Sequence, residues 1–374
     1  MIGDRLTLEI LRNLMNCNTV NPPGNEKNAA QYLEKLFIEK GLPCTVQDLG
    51  NNRANFIAEF GEGDKCLELC GHLDVVPCTG EWKHQPIGYT EQENYIYGRG
   101  ACDMKGGVAA MCSAVISVIK DHLPFHGRLR LAFVADEEDA NLGMHSFLSS
   151  YPAADYSILG EPTELHVAVA HRGVGRYFID CFGRAHHAAL RSSVETSIHS
   201  AARAVFAIDA LNERLRSKTH EILPPPSIAV TMVKGYEKDN IVPGDVQLLV
   251  DFRILPGMTE EETREMLIDE LVQAGIQNYS IHKHFFMPGG ETNAWHPFVR
   301  ECLSDASGFN RREETPCAFD ASCEQCFLVE AGSATVILGP GSLAQAHTVD
   351  EYVVKEQVLR ASYIYRKIIE NVLL

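Results

Sequence analysis

The alternation of apolar and polar positions predicts a series of strands that run directly into acidic or histidine-bearing loops. The pattern then changes character at Arg172. The first 45 residues read as two helices separated by the turn cluster Asn21-Pro-Pro-Gly24. Cys66-Leu-Glu-Leu-Cys70 alternates as a strand and leads into His72. Val108 to Ile119 is an apolar helix entered from a glycine-rich loop around Asp103. Arg128 to Ala135 is a strand ending at Asp136-Glu-Glu138, and Ser157-Ile-Leu-Gly160 is another ending at Glu161. Carboxyl ends of strands are where open α/β sheets build their sites, so an α/β fold is expected here.

Between Arg172 and Ile281 the order of elements is different. Tyr177 to Phe182 reads as a strand, and a helix follows with an apolar face at Val194, Ile198, Ala201, Val205, Ile208, Leu211 and Leu215. Ser227 to Val233 and Val246 to Ile254 are strands, the second alternating at Val246, Leu248, Val250 and Phe252. Thr259 with Glu262 forms a capping box that starts a helix stopping near Gly275, and Asn278 to His282 closes as a strand. The order β-α-β-β-α-β predicts a ferredoxin-like α+β domain over residues 172–283, inserted into a domain made of residues 1–171 and 284–374. The returning part carries a strand at Ala334-Thr-Val-Ile-Leu338 and a C-terminal helix from Val353.

Length agrees with two domains, since 374 residues exceed one comfortable core. A formal charge of −17 argues against nucleic acid or an anionic membrane as partner. No uninterrupted apolar run reaches about 18 residues, the length a membrane span needs. The start lacks the basic stretch and apolar run of a secretion signal. The twelve cysteines are dispersed, and Cys323-Glu-Gln-Cys326 has no second pair to close a zinc site. Reduced thiols and a cytoplasmic protein are therefore expected.

The chemistry lies in the strand-end loops. His72 and Asp74 in Gly71-His-Leu-Asp-Val-Val-Pro77 alternate, so the carboxylate is placed to orient the imidazole for a metal. Asp103 sits among Gly98, Gly100, Gly106 and Gly107, where a backbone can pass close to an ion and a carboxylate can bridge two of them. In Glu137-Glu138 one carboxylate can ligate metal while the other takes a proton from water. Glu161 and His347, singly, also read as a capping acid and a structural histidine, although Gly339-Pro-Gly341 suggests a tight loop carrying His347 inward. The joint nitrogen and oxygen set suits zinc and its neighbours.

These motifs resemble the metallohydrolase family of acetylornithine deacetylase, succinyl-diaminopimelate desuccinylase, aminoacylase and glutamate carboxypeptidase. The resemblance runs essentially the full length through Gly-His-x-Asp-Val-Val-Pro, Gly-Arg-Gly-x-x-Asp-Met-Lys-Gly-Gly, Asp-Glu-Glu and Gly-Glu-Pro-Thr. Asp251 to Thr259 and Leu338 to His347 lean toward the acetylornithine deacetylase branch. It implies a zinc-peptidase-like catalytic domain with a central mixed sheet, and an inserted domain serving as lid and dimerisation surface. It implies two zinc or cobalt ions bridged by Asp103, with His72 and Glu161 on one and Glu138 and His347 on the other. Glu137 would be the general base and Asp74 would support the ligands from behind. His187 in Gly183-Arg-Ala-His-His187 would donate to the oxyanion, although a one-residue slip would substitute His186. Asn240 and Arg253 would hold a substrate carboxylate. The substrate would be a small N-acyl amino acid, N-acetylornithine first, or a short peptide, acted on by a homodimer. The open alternatives are a di- or tripeptidase, a deacylase for N-succinyl or N-formyl substrates, and a non-catalytic metal-binding relative. Ala188-Ala189-Leu190-Arg191, Phe319-Asp320 and Gly235 to Asn240 depart from the family pattern and leave the substrate open.

Overall fold

In the computed structural model, residues 2–121, 125–190 and 195–374 are described, so Arg191 and Val194 of the expectations above lie outside the described residues. The chain divides into a unit of Met1–Val169 with Glu291–Leu374 and a second unit of Ala170–Gly290.

The first unit is built on a mixed sheet. Its central strands run in the order Gly127–Val134, Cys66–His72, Tyr156–Leu159, Ala334–Ile337, and each adjacent pair is parallel. Arg53–Glu62 and Thr45–Gly50 extend the sheet with antiparallel pairing. Every residue of Cys66–His72 is buried, as expected of a parallel strand covered on both faces. Its alternate side chains serve two layers. Cys70, Ala132, Val134, Leu159 and Ile337 pack with Met144, Phe147, Cys323 and Leu328. On the other face Gly71 abuts Met104 and Val108.

Val108 belongs to the helix Gly106–Lys120, which is apolar all round because it is buried on nearly every side. By length and composition the segment Ala101–Lys120 could cross a bilayer, but 89% of its apolar window is buried inside the protein. Partly hydrophilic residues interrupt it, which is why no uninterrupted run stands out in the sequence. The C-terminal helix, Lys355–Leu373, packs beside it and buries Val358, Ala361, Ile364, Tyr365, Ile368 and Ile369. Each such valine or isoleucine contributes roughly 1.5–3 kcal/mol on burial.

The second unit has the order β-α-β-β-α-β. Its antiparallel sheet runs Ser227–Lys234, Asp245–Ile254, Gly173–Phe182, Tyr279–Met287. Val246, Leu248, Val250, Phe252 and Ile254 alternate inward, as their period of two requires. Helix Glu260–Gln273 starts at a complete capping box between Thr259 and Glu262. Helix Ser197–Leu215 buries Ala201, Ile208, Leu211 and Leu215, but Ile198 at its start is half exposed, so the apolar face begins later than its spacing implies. The last strand outruns the predicted Asn278 to His282. Past a bulge at Lys283, the residues Phe285, Phe286 and Met287 go on pairing with Arg176, Gly175 and Val174.

Candidate metal centre

Four neighbouring parallel strands of the first unit deliver most of the predicted residues from their carboxyl ends. His72 closes its own strand, in register with Val134, which precedes Glu137 and Glu138 by a tight turn. Leu159 leads to Glu161, and Ile337 leads through Gly339-Pro-Gly341 to His347. Glycine is required at 339, where a Cβ would lie 2.2 Å from the Gly160 oxygen and 2.5 Å from that of Glu161. Asp103 comes from the loop that enters Gly106–Lys120.

Asp103 lies between the two histidines. Its Oδ1 is 3.0 Å from His72 Nε2, and its Oδ2 is 3.1 Å from His347 Nε2. Glu161 Oε1 stands 3.6 Å from the same His72 nitrogen, and Glu138 Oε1 3.1 Å from the His347 nitrogen. Ligand atoms of His72, Asp103 and Glu138 all fall within 4.8 Å of one another. The His72 Nδ1 faces the Asp74 main-chain oxygen at 3.0 Å, so it carries the proton and donates. Its Nε2 is thereby turned toward two carboxylates.

That arrangement calls for a cation. Burial raises the Glu161 carboxyl well above its ordinary value, and Asp103 adds to the rise against His72. Burial likewise lifts Glu137 well above, opposed by His72 and reinforced by Glu138 and Glu161. Burial would lower His72, yet Asp103, Glu161 and Glu137 hold it well above the usual imidazole range. His347 is pushed up to about 10, first by its bond to Asp103 and then by that to Glu138. Glutamates driven toward protonation around imidazoles driven toward charge are what an ion-binding pocket looks like to a proton. Two divalent cations match the four negative charges of Asp103, Glu137, Glu138 and Glu161, and the donor atoms suit them.

Two further carboxylates hold the loops from behind, and both do so through the main chain. Asp74 accepts the N–H of Glu137 on Oδ1 and that of Glu138 on Oδ2, each at 3.1 Å. Its carboxylate is 3.7 Å from the His72 ring nitrogen, so the expectation that it fixes the imidazole is corrected. The Asp74 main-chain carbonyl does that, accepting from the ring Nδ1. Glu351 repeats the device, accepting the N–H groups of Cys102 (2.8 Å) and Asp103 (3.1 Å) while Arg99 grips its other oxygen at 2.6 Å. Arg99 lies inside Gly-Arg-Gly-x-x-Asp-Met-Lys-Gly-Gly and Glu351 follows His347 by four residues, but neither was read as a support for the site. Glu324 is another residue the sequence reading missed. It is fully buried with both oxygens unpartnered, and it interacts electrostatically with His72, Asp74 and Asp136. At the Phe319-Asp320 departure from the family pattern, Asp320 is exposed and Phe319 is core.

The remaining predicted residues belong to the second unit. His187 and Asn240 meet there, with Asn240 Nδ2 3.1 Å from His187 Nε2, on a two-stranded ribbon pairing His186–His187 with Ile241–Val242. His186 instead turns its Nδ1 to the Arg184 oxygen. The Arg253 guanidinium is tied to Asp251 at 2.6 Å.

A family model for "Peptidase family M20/M25/M40" matches residues 69–371. An acetylornithine deacetylase of Vibrio parahaemolyticus is 29% identical over 361 residues, covering 92% of this chain and 93% of that one. An M20 family metallo-carboxypeptidase from Sulfolobus solfataricus superposes with a TM-score of 0.80 at 18% identity, covering 97% of this chain and 98% of that one. A dinuclear metal binding peptidase of the M20 family from Bacillus subtilis gives 0.74 at 12% identity, with 99% of each chain covered.

Proposed function

This chain belongs to peptidase family M20/M25/M40 and is a metal-dependent amide hydrolase, and from that premise we propose that it removes the acyl group from an N-acyl α-amino acid, with N-acetylornithine the first candidate. The observation that carries the reading is Asp103, whose two oxygens face different histidines, each with its own glutamate. His72 and Glu161 would hold one ion, Glu138 and His347 the other, and Asp103 would bridge them. Zinc or cobalt fits a mixed imidazole and carboxylate set. Such ions polarise the scissile carbonyl and acidify water.

The chain's own residues then divide the work. Glu137 takes the proton from the attacking water and passes it to the leaving amine nitrogen as the C–N bond breaks. Asp74 keeps Glu137 and Glu138 in place through their amides. From the second unit, His187, its ring oriented by the Ala189 N–H on Nδ1, would donate to the oxyanion from Nε2 after exchanging its contact with Asn240. Arg253 would bind the substrate carboxylate after exchanging its bond to Asp251. The same unit would form a homodimer contact, since its edge strand exposes Met232 and Val233 and its first helix exposes Phe206. Twelve free cysteines support a cytoplasmic setting.

A short-peptide substrate is the second reading, because Ala188-Ala189-Leu190 departs from the family pattern and leaves the substrate open. Amine release from N-acetyl, N-formyl and N-succinyl amino acids and dipeptides, with added zinc or cobalt and with chelator, tests both. Chelator-sensitive turnover led by N-acetylornithine is the expected result. Preference for dipeptides would replace the substrate, and no turnover across the panel would favour a binding-only relative.

A further inference from the structure

The turn Asn21-Pro-Pro-Gly24, which the sequence marks only as a break between helices, runs beside the chain that follows His72. Asn21 N–H donates to the Val75 oxygen (2.8 Å), Val75 N–H to the Thr19 oxygen (3.1 Å), and Thr19 Oγ1 to the Leu73 oxygen (2.7 Å). This ladder delivers the buried Asn21 side chain to two carboxylates. Its Nδ2 donates to Asp74 Oδ2 at 2.9 Å and to Asp136 Oδ1 at 2.8 Å, using both amide hydrogens. Its oxygen accepts from Arg53 Nη2 at 2.7 Å. Arg53 Nη1 in turn bridges Glu26 Oε1 (3.0 Å) and Asp136 Oδ1 (2.5 Å).

Gly24 makes room for this. With φ at +101°, a Cβ there would lie 2.7 Å from Glu26 Oε2 and 2.8 Å from Arg53 Cζ. Three buried carboxylates thus share one guanidinium and one amide. The crowding shows at Glu26, which burial lifts to about 7, with Asp74 and Asp136 adding to the rise and Arg53 opposing it.

An amide is the one short side chain that can accept from the guanidinium while donating to both carboxylates. It therefore sets the plane of the Asp74 carboxylate, whose two oxygens receive Glu137 and Glu138 N–H. We propose that Asn21 and Arg53 are positioning residues for the hydrolase, locking Asp74 so that the 137–138 turn presents the base and its neighbouring carboxylate. The proposal rests on the roles given above to Glu137 and Glu138.

Hydrogen exchange at individual amides of the metal-free protein tests it independently of turnover. In Asn21→Ala, the Glu137 and Glu138 amides should exchange about tenfold faster or more, while those of Gly127–Val134 stay unchanged. With metal restored, kcat should fall about tenfold with KM within about twofold, since an interaction specific to the transition state is weakened. Asn21→Asp, although isosteric, should be worse than the truncation, because it sets a carboxylate against Asp74 and Asp136 where a donor stood. Packing alone predicts the opposite ranking. Arg53→Lys, which keeps the charge and loses the fork, should show the same local exchange if the Asn21 variants do not fold. Unchanged Glu137 and Glu138 exchange, or acceleration spread equally over Gly127–Val134, would overturn the proposal. Local acceleration in a protein that hydrolyses no amide would support the clamp and reject the hydrolase reading.

Discussion

The two units bury charge very differently. The first encloses His72, Asp74, Arg99, Asp103, Arg130, Asp136, Glu161, Glu324 and Glu351, whereas the second encloses His171, Glu270 and a few hydroxyls around an apolar core. Glu270 is paired with Arg214, which reaches it from the surface. A sheet with two helices folds with very little interior charge, as the second unit demonstrates. Interior charge is costly unless paired, so its concentration at one sheet's strand ends marks where chemistry is done.

The sharpest test of that contrast is Glu137→Gln. It removes one proton-accepting oxygen and leaves the shape, so kcat should fall about a thousandfold, roughly 4 kcal/mol, with metal content unchanged by elemental analysis. Near-normal turnover would show that the buried charges hold metal without supplying the base. Next comes Arg130, buried in the same sheet with Glu68 at 3.1 Å and Glu59 at 2.9 Å, away from the metal-facing residues. Arg130→Met should cost about 3–5 kcal/mol in urea unfolding by stranding Glu68, and Glu68→Leu on top should recover much of it. A single-variant cost under about 1 kcal/mol would mean that interior charge is cheap here, and the contrast between units would lose its meaning.

What was legible in the sequence follows the same division. Metal chemistry needs particular residue types side by side, so Gly-His-x-Asp, Asp-Glu-Glu and Gly-Glu-Pro-Thr announce themselves in short windows, and the structure brings His72, Asp103, Glu138, Glu161 and His347 together. The alternating strands and the capping box of the second unit were legible because period and caps are local. Asn21, Arg53, Glu324 and Glu351 were not read as parts of the site, because each meets it across tens or hundreds of residues and looks like a turn, a surface cation or a helix start. Ile198 shows the limit of periodicity, since a helix end can carry an apolar residue past the last neighbour that would cover it.

If the second unit supplies chemistry in spite of its apolar interior, His187 is where it does so. His187→Ala should lower kcat about a hundredfold with little change in KM, the signature of a lost oxyanion donor. Asn240→Ala should have a smaller effect, because its amide would contact the ring only until the oxyanion replaces it. A rise in KM at constant kcat in steady-state kinetics would sharpen the comparison instead, leaving all the chemistry to the first unit and binding to the second.

The smallest effect concerns a buried charge of the first unit outside the metal centre. Asp305, on helix Pro297–Asn310, accepts both its bonds from the single Asn371 amide, at 2.9 and 3.0 Å. Burial, with Glu301 adding, lifts its carboxyl from 3.8 to about 6, against Asn371 and Lys367. The folded state therefore holds this proton more tightly than the unfolded chain does. Stability from this group falls as pH rises from about 4 to 6, is unaffected below that window, and carries the full cost above it. Asp305→Asn keeps an acceptor for Asn371 and removes the charge. Its unfolding free energy should match the parent near pH 4 and exceed it by about 1 kcal/mol at pH 8, after allowing for screening by solvent. Taking the difference between variant and parent cancels every other titrating group, so urea midpoints across that range isolate this one. A difference that stayed flat with pH would mean Asp305 is ionised at no cost, and that part of the first unit's interior tolerates charge as readily as its surface.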